Sequence, residues 1–411
     1  MTVNSTDNTT GIAAEAGVLE VECLDNLDDL MLARREWDSF IEDTGGDIYF
    51  ITAWIQSWWK YYGEGRKLRC FLVRENGRVV AALPFCIFRL WVGPVPLNIA
   101  RFVGADFTIP VFSPAIERDY EERVLSTILT WLTEKERCDA VSFSPLSGDS
   151  PIVGVSQNLC AGSGSFRLAR LESRGPHTTF ELPQNFDDYL AALKKRQRSN
   201  YRRDVKQLSK NFQLETRIIS GREAIQKFDD FVEMHGAQWN EVGSPGHFGD
   251  WPDSEGFNRD LVEEMADAGY ARFYEILGDG KVLSIQYSFV IGDKCYWRLP
   301  ARDPDPELQK LGLGRIGLVK MLESIIGEGV RHVEAGPGHY EYKVKHGGRE
   351  LPLQHLVFTP SSLISRLKTG LLLRWADVLH LFYYRIWINK ISARLGVQRG
   401  SLWRSWIRTR L

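Results

Sequence analysis

Two glycines one residue apart, just ahead of an apolar run, are the most chemically informative stretch of this 411-residue chain. The segment reads Gln309-Lys-Leu311-Gly312-Leu-Gly314-Arg315, and the run behind it extends from Ile316 to Ile326. Glycines at such a place let backbone N–H groups face an anion. The helix that follows adds unpaired N–H groups and a partial positive charge at its start. The spacing therefore predicts a cradle for a cofactor pyrophosphate. Gly312, Gly314 and Gly317 also spell the dinucleotide pattern GxGxxG, with Glu334 about where that fingerprint wants an acid. Context rejects this second reading. A Rossmann turn follows its strand directly, whereas Asp303 to Leu308 intervenes here, and too little chain remains for further βα units.

Groups able to move protons accompany the cradle. Chemistry beside a bound cofactor needs a proton acceptor for an incoming nucleophile and N–H groups aimed where charge develops. His339, in the Gly-rich segment after Gly336-Pro337-Gly338, and His235, on a helix toward the Trp239 side, are the candidate bases, with Glu241 and Glu334 in reserve. Lys343 reads as a contact to a phosphate or carboxylate, since a lysine stays protonated unless buried. The eight histidines contain no H-x-x-x-H or H-E-x-x-H pair and the six cysteines no metal-type spacing, which argues against a metal. No G-x-S-x-G elbow is present for a serine hydrolase. The scattered cysteines, four of them in apolar surroundings, point to a reducing compartment.

The elements that must position these residues follow from periodicity. Val18 to Cys23 alternates as a strand, Leu27 to Phe40 and Ala53 to Tyr62 read as helices, and Leu68–Val73 and Arg78–Ile87 form a hairpin across Asn76-Gly77. Pro84 is expected to end the second strand at an edge or bulge, and a Pro-rich loop is expected to follow. A helix near Asp119–Lys135 and the strand Ala140–Phe143 come next. Then come a Ser/Gly/Pro-rich loop with a short helix over Ser144–Ser165, a strand Thr178–Leu182, one helix from Phe186 to Phe212, a strand Phe212–Ile218, and helices over Ile225–Trp239 and Phe257–Ala268. A second hairpin, Ala271–Leu277 with Val282–Ile291 across Gly278-Asp279-Gly280, precedes the strand Lys294–Ala301 and the cradle. Strands Val330–Ala335 and Gln354–Phe358 close the series. Both halves run strand, helix, helix, hairpin, helix, strand, which suggests an internal duplication. The pattern is α+β, with mostly antiparallel mixed sheets flanked by helices.

Q-x-x-G-x-G after a strand and before a helix resembles the pyrophosphate-binding motif of the GNAT acyltransferase superfamily. Tyr49-Phe-Ile-Thr-Ala-Trp54, Trp58-Trp59, Leu83-Pro84, Arg196 to Leu208, His235-x-x-x-Trp239 and Gly336-Pro-Gly-x-x-x-Tyr342-Lys343 extend the likeness to its CelD-type branch, related to the FemAB transferases. This resemblance covers residues 18–358 and implies two tandem GNAT-like domains, 18–175 without a cofactor box and 176–358 with a coenzyme A site. It implies acyl-CoA held by Gln309, Leu311, Gly312, Gly314 and Arg315, and a carbonyl-oxygen donor in the backbone of Tyr296–Ala301, with Leu299 and Ala301 against the cofactor. Tyr342, or its neighbour Tyr340, would protonate the leaving thiolate. Trp239, Glu241, Glu334 and Lys343 would line the acceptor site.

Outside these domains lie a polar lead-in, residues 1–17, without signal-peptide features and expected to be disordered, and a tail, 359–411. From Ser361 onward ten Arg or Lys residues face one acid, Asp377. Arg374, Asp377 and Arg385 recur on one face of an otherwise apolar, aromatic helix, which suits an interfacial position better than a membrane span. The expectation is an acyl-CoA-dependent N-acyltransferase, peripheral on the cytoplasmic face of a membrane. Its acceptor would be an amino sugar or long-chain amino lipid of an envelope precursor. Alternatives are an aminoacyl-tRNA-dependent FemAB-like transferase, tRNA being the less favoured donor, and a non-catalytic module of polysaccharide synthesis.

Overall fold

The computed structural model describes residues 17–108, 110–162, 164–240, 246–249, 251–392 and 401–411; the expected lead-in, apart from Gly17, and Glu241 lie outside the described residues. The strands are β1 (Leu19–Leu24), β2 (Arg66–Glu75), β3 (Arg78–Val92), β4 (Val95–Phe102), β5 (Ala115–Ile116), β6 (Ala140–Ser147), β7 (Phe166–Glu181), β8 (Leu214–Ser220), β9 (Ala271–Gly278), β10 (Lys281–Ile291), β11 (Lys294–Arg302), β12 (His332–Pro337) and β13 (Arg349–Pro360). The helices are α1 (Leu27–Leu32), α2 (Arg34–Asp43), α3 (Thr52–Tyr62), α4 (Glu121–Glu134), α5 (Pro151–Gly162), α6 (Phe186–Ala192) and α7 (Lys195–Asn211). They continue as α8 (Arg222–Asn240), α9 (Ser254–Asp267), α10 (Pro306–Lys310), α11 (Leu313–Gly327), α12 (Glu341–Lys345), α13 (Leu363–Leu379) and α14 (Ser401–Thr409).

All these strands join one sheet in the order β1-β2-β3-β4-β6-β13-β7-β12-β11-β10-β9-β8, with β5 against β3. Followed inward from its two ends, the sheet repeats itself. β1 to β4 run antiparallel and β4 then pairs β6 in parallel. β8 to β11 run antiparallel and β11 then pairs β12 in parallel. At the centre the halves exchange closing strands. β7 pairs β12 of the second half, β13 pairs β6 of the first, and β7 and β13 pair each other.

Local chemistry explains the turns. Asn76 and Gly77 (φ 52° and 79°), and Asp279 and Gly280 (φ 52° and 81°), supply the two left-handed residues that a type I′ hairpin needs. Pro84, by contrast, does not end its strand, and β3 continues to Val92. Its missing N–H falls between Ala82, where β5 pairs, and Phe85, where β4 begins to pair, so no ladder bond is lost. The expected Pro-rich loop after it is the strand β4. The single helix expected from Phe186 to Phe212 is two, because Leu193 and Lys194 are extended. Leu193 is buried in the core there, and Arg198 Nη1 holds the freed carbonyls of Leu190 (3.1 Å) and Ala191 (2.9 Å).

One hydrophobic core runs through both halves. Trp37 and Trp58 are fully buried, their indole N–H groups donating to Phe50 O (2.7 Å) and Asp106 O (3.2 Å). Tyr296 OH on β11 donates to Asp47 Oδ1 at 2.9 Å, and Tyr61 on α3 to Asp260 on α9 at 2.9 Å. α11 is buried on most sides through Leu318, Val319, Leu322 and Ile325, as its continuous apolar run requires. The tail lies on the body. α13 buries Leu372, Leu373 and Ala376, continues as a π-helical stretch His380–Ser392, and α14 returns with Trp403 and Trp406 buried. Among the described residues no helix is long and apolar enough to cross a membrane.

Candidate functional site

β11 and β12 pair only at Lys294–His332, Cys295–Val333 and Tyr296–Glu334, and then part. Arg298 is the extra residue of a bulge opposite Tyr287 and Ser288, and a bulge bends its strand. The opened wedge is a wall of a cavity of about 510 Å³. The glycine box closes one end of it, α8 and the His247 loop one side, and β12 with α12 the other.

At the box, Gly312 caps α11 in the left-handed region (φ 79°). Its carbonyl accepts from the N–H groups of Arg315 (2.9 Å) and Ile316 (3.1 Å). The N–H groups of Leu313 and Gly314 have no hydrogen-bond partner among the described residues. A Cβ on Gly314 would stand 2.6 Å from Arg302 Nη1, so the guanidinium of Arg302 lies directly over this glycine. Arg302 forms no ion pair among the described residues, and its Nε is buried without a partner. Arg315 lines the cavity, but its Nη2 is 2.5 Å from Asp204 Oδ2 on α7. Gln309, Leu299 and Ala301 line the same cavity. Leu311 does not; it packs on the small core of Leu208, Leu283 and Leu308. Two open N–H groups and an unpaired cation at a helix start fit a pyrophosphate.

The other candidates divide sharply. His339 is two-thirds exposed and bound to Glu350 Oε1 at 2.7 Å, away from the cavity lining. His235 is buried with both ring nitrogens engaged, Nδ1 with Pro300 O (3.0 Å) and Nε2 with His247 Nδ1 (3.2 Å). Since a carbonyl only accepts, His235 carries its proton on Nδ1, its Nε2 accepts from His247, and the Nε2 of His247 keeps a free lone pair. Burial, then the neighbouring His235 and Arg298, push His247 down to about 4. Burial also lowers His235 against its bond to Pro300. Trp239 packs its ring against both histidines, 6.0 and 5.4 Å between centroids.

Lys343 departs most from expectation. It is buried, donates to Ala335 O at 2.5 Å, and sits 4.4 Å from the Tyr340 ring and 5.0 Å from the Trp297 ring. Burial lowers its pKa to about 8 against the pull of Glu334. Tyr342 lines the cavity, and burial, with Tyr340 beside it, raises its phenol so that the OH stays protonated. Glu334 lines it too, its carboxylate held by Gly336 N–H (2.9 Å) and His177 Nδ1 (3.0 Å). His247, Arg298, Arg302 and His177 escaped the sequence reading. The pair Arg298-x-x-x-Arg302 on the strand leading into the box was the available signal.

Residues 195–344 match the acetyltransferase (GNAT) domain family. A sequence search of curated proteins finds no match. Among solved structures, FemX is similar with 13% identity and a TM-score of 0.58, over 81% of this chain and 98% of that one. L-PGS from Bacillus licheniformis is similar with 10% identity and a TM-score of 0.48, over 82% and 95% of the two chains. A tandem GNAT protein from the clavulanic acid biosynthesis pathway has 17% identity and a TM-score of 0.40, over 84% and 99%. The likeness to FemX is one of fold and spans both halves. The family match lies over the glycine box and most of the cavity lining, so residues 195–344 are similar to a GNAT acetyltransferase domain, on a fold like that of FemX.

Proposed function

We propose that this protein is an acyl-CoA-dependent N-acyltransferase whose acceptor is an amine on an envelope polysaccharide or lipid precursor. The observation that carries the reading is Arg302 lying over Gly314, unpaired, beside the open N–H groups at the start of α11. Those groups and Gln309 would hold the pyrophosphate; the bound thioester would supply the activated acyl group. The protonated Tyr342 can hand a proton to a leaving thiolate. His247, fixed in its tautomer by His235, and Glu334 offer lone pairs for the amine proton, and Lys343 neutralises an acidic group beside them.

The tail supports work at an anionic membrane surface. Opposite its buried side, α13 exposes Ile364, Leu367, Leu371 and Trp375, and the π-helical stretch exposes Phe382 and Ile386. Arg366, Arg374, Arg385 and Lys390 are exposed along the same rod. Apolar side chains flanked by cations suit the headgroup boundary. A second reading, an aminoacyl-tRNA donor, draws on α7, which exposes Lys195, Arg196, Arg202, Arg203 and Lys206 and is tied to the box through Asp204–Arg315. Calorimetry with acyl-CoA and with aminoacyl-tRNA decides. Acyl-CoA binding lost in Arg302→Ala supports the first reading. Binding of tRNA alone, steeply salt-dependent, replaces it with the second.

A further inference from the structure

The sheet carries a helix on each face beside β11. α8 packs Phe231 on Tyr287 of β10, 5.4 Å between ring centroids, whereas α11 packs Leu318 and Leu322 into the core of Trp297 on the other face. The wedge between β11 and β12 joins the two faces, so the cavity has two compartments. Arg302, over Gly314, belongs to the one at the start of α11. Arg298, the bulge residue, turns to the first half of the chain: its guanidinium lies 5.2 Å from the Trp54 ring and 5.9 Å from the Tyr49 ring. It lines the cavity, and among the described residues its nearest polar contact is Tyr49 OH, 3.5 Å from Nη1, with no carboxylate in ion-pair reach. We propose that the amine acceptor is a zwitterion, whose own carboxylate or phosphate binds Arg298 while its nitrogen lies toward Glu334 and His247. The inference rests on the acyl-transfer reading above and narrows its acceptor.

A half-buried cation without a counter-ion is costly unless a ligand supplies one. Two aromatic rings hold the guanidinium in place, and its planar fork suits the paired oxygens of a carboxylate or phosphate. Tyr49 does not supply the charge, because burial keeps its phenol protonated against the pull of Arg298. The donor does not supply it either. Its pyrophosphate is assigned to Arg302, four residues or about 13 Å farther along the strand. The acidic group of this compartment is Glu334, close enough to act on Tyr49, with its oxygens accepting from Gly336 N–H and facing His177 Nδ1. Glu334 pairs with Tyr296, two residues or about 7 Å before Arg298. An anion-binding and a cation-binding group so spaced match an amine and an acid close together on one molecule. Arg298 is also near enough to His247 to lower its pKa, so an acid held by Arg298 brings the nitrogen beside the free lone pair of that ring. Lys343 lies toward Trp297 and is tied to Ala335 O, which leaves Arg298 to take the anion.

Calorimetry on the full chain, with and without saturating coenzyme A, tests this with three small amines: 2-aminoethanol, 2-aminoethyl phosphate and β-alanine. At least one acid-bearing probe should bind about tenfold tighter than the neutral one, the scale of a charged hydrogen bond. Whichever is tighter assigns the oxyanion as phosphate or carboxylate. In Arg298→Gln the preference should vanish while acyl-CoA affinity holds, which shows the cavity intact. In Arg302→Ala the preference should persist while acyl-CoA affinity falls. Equal affinity for the three probes, binding of none, or a preference that survives Arg298→Gln overturns the proposal. So does a preference lost only in Arg302→Ala, since the anion then sits in the pyrophosphate cradle. A wild type that prefers the acids through Arg298 but binds no acyl-CoA refutes the acyl-transfer reading and leaves the anion subsite standing.

Discussion

Replacing Gly314 by alanine separates donor binding from folding. A Cβ there would stand 2.6 Å from Arg302 Nη1, well inside contact distance, and the next atom of that side chain, Cζ, is 3.7 Å away. The obstacle is the far end of a flexible side chain, so the guanidinium swings off the helix start and the backbone stays. Gly314 is not among the left-handed residues, so alanine is compatible with its backbone and should raise helix stability by about 0.4–1 kcal/mol. What is lost is one charged hydrogen-bond donor to the pyrophosphate, worth about 1.5–3 kcal/mol. That corresponds to roughly a 10- to 150-fold rise in Kd. Calorimetric titration with acyl-CoA and a thermal melt of the same sample measure both. Gly312→Ala is the contrasting control. Its φ is 79° and its Cβ would meet the Arg315 guanidinium and Asp204 Oδ2, so it should lose stability as well as affinity. An unchanged Kd in Gly314→Ala, with Arg302 intact, refutes the assignment of this end of the cavity.

Four further outcomes are expected. His247→Gln and His235→Gln should lower kcat at least tenfold with donor affinity kept, whereas His339→Ala, exposed and paired with Glu350, should turn over normally; slow turnover in His339→Ala alone would return the base to that loop. Burial lowers Lys343 from 10.5 to about 8, so the unfolded chain binds this proton more tightly, and stability should rise with pH between those values. Urea midpoints at pH 8 and 10 should show that rise in the wild type and not in Lys343→Met; equal slopes count against the burial. Leu367→Glu with Trp375→Glu should release the protein from phosphatidylglycerol vesicles in flotation, and full retention rules out this face; deleting 361–411 is a poorer test because it strips the buried Leu372, Leu373 and Trp403 from the body. Asp106→Ala should cost about 3–5 kcal/mol in denaturant unfolding, since it leaves Arg66, 2.7 Å away and wholly buried, without its partner.

The glycine box, the two hairpins and the doubling of the fold were legible because each depends on neighbours in sequence. Left-handed turns need Asn-Gly or Asp-Gly, a helix start that holds an anion needs glycine, and alternation betrays a strand before its partner is known. Leu193 broke an expected helix, and Pro84 failed to break an expected strand, because burial and ladder position outweigh local propensity. The site itself depended on distance. His235 looked like a base until Pro300 and His247 occupied both of its nitrogens. His339 looked central but is held at the surface by Glu350. Lys343 seemed an ordinary cation until Trp297, Tyr340 and the wedge between β11 and β12 removed its water. His177 carried no signal at all. Its contact with Glu334 arises only because β7 crosses into the second half, and no periodicity encodes which strands a chain will exchange.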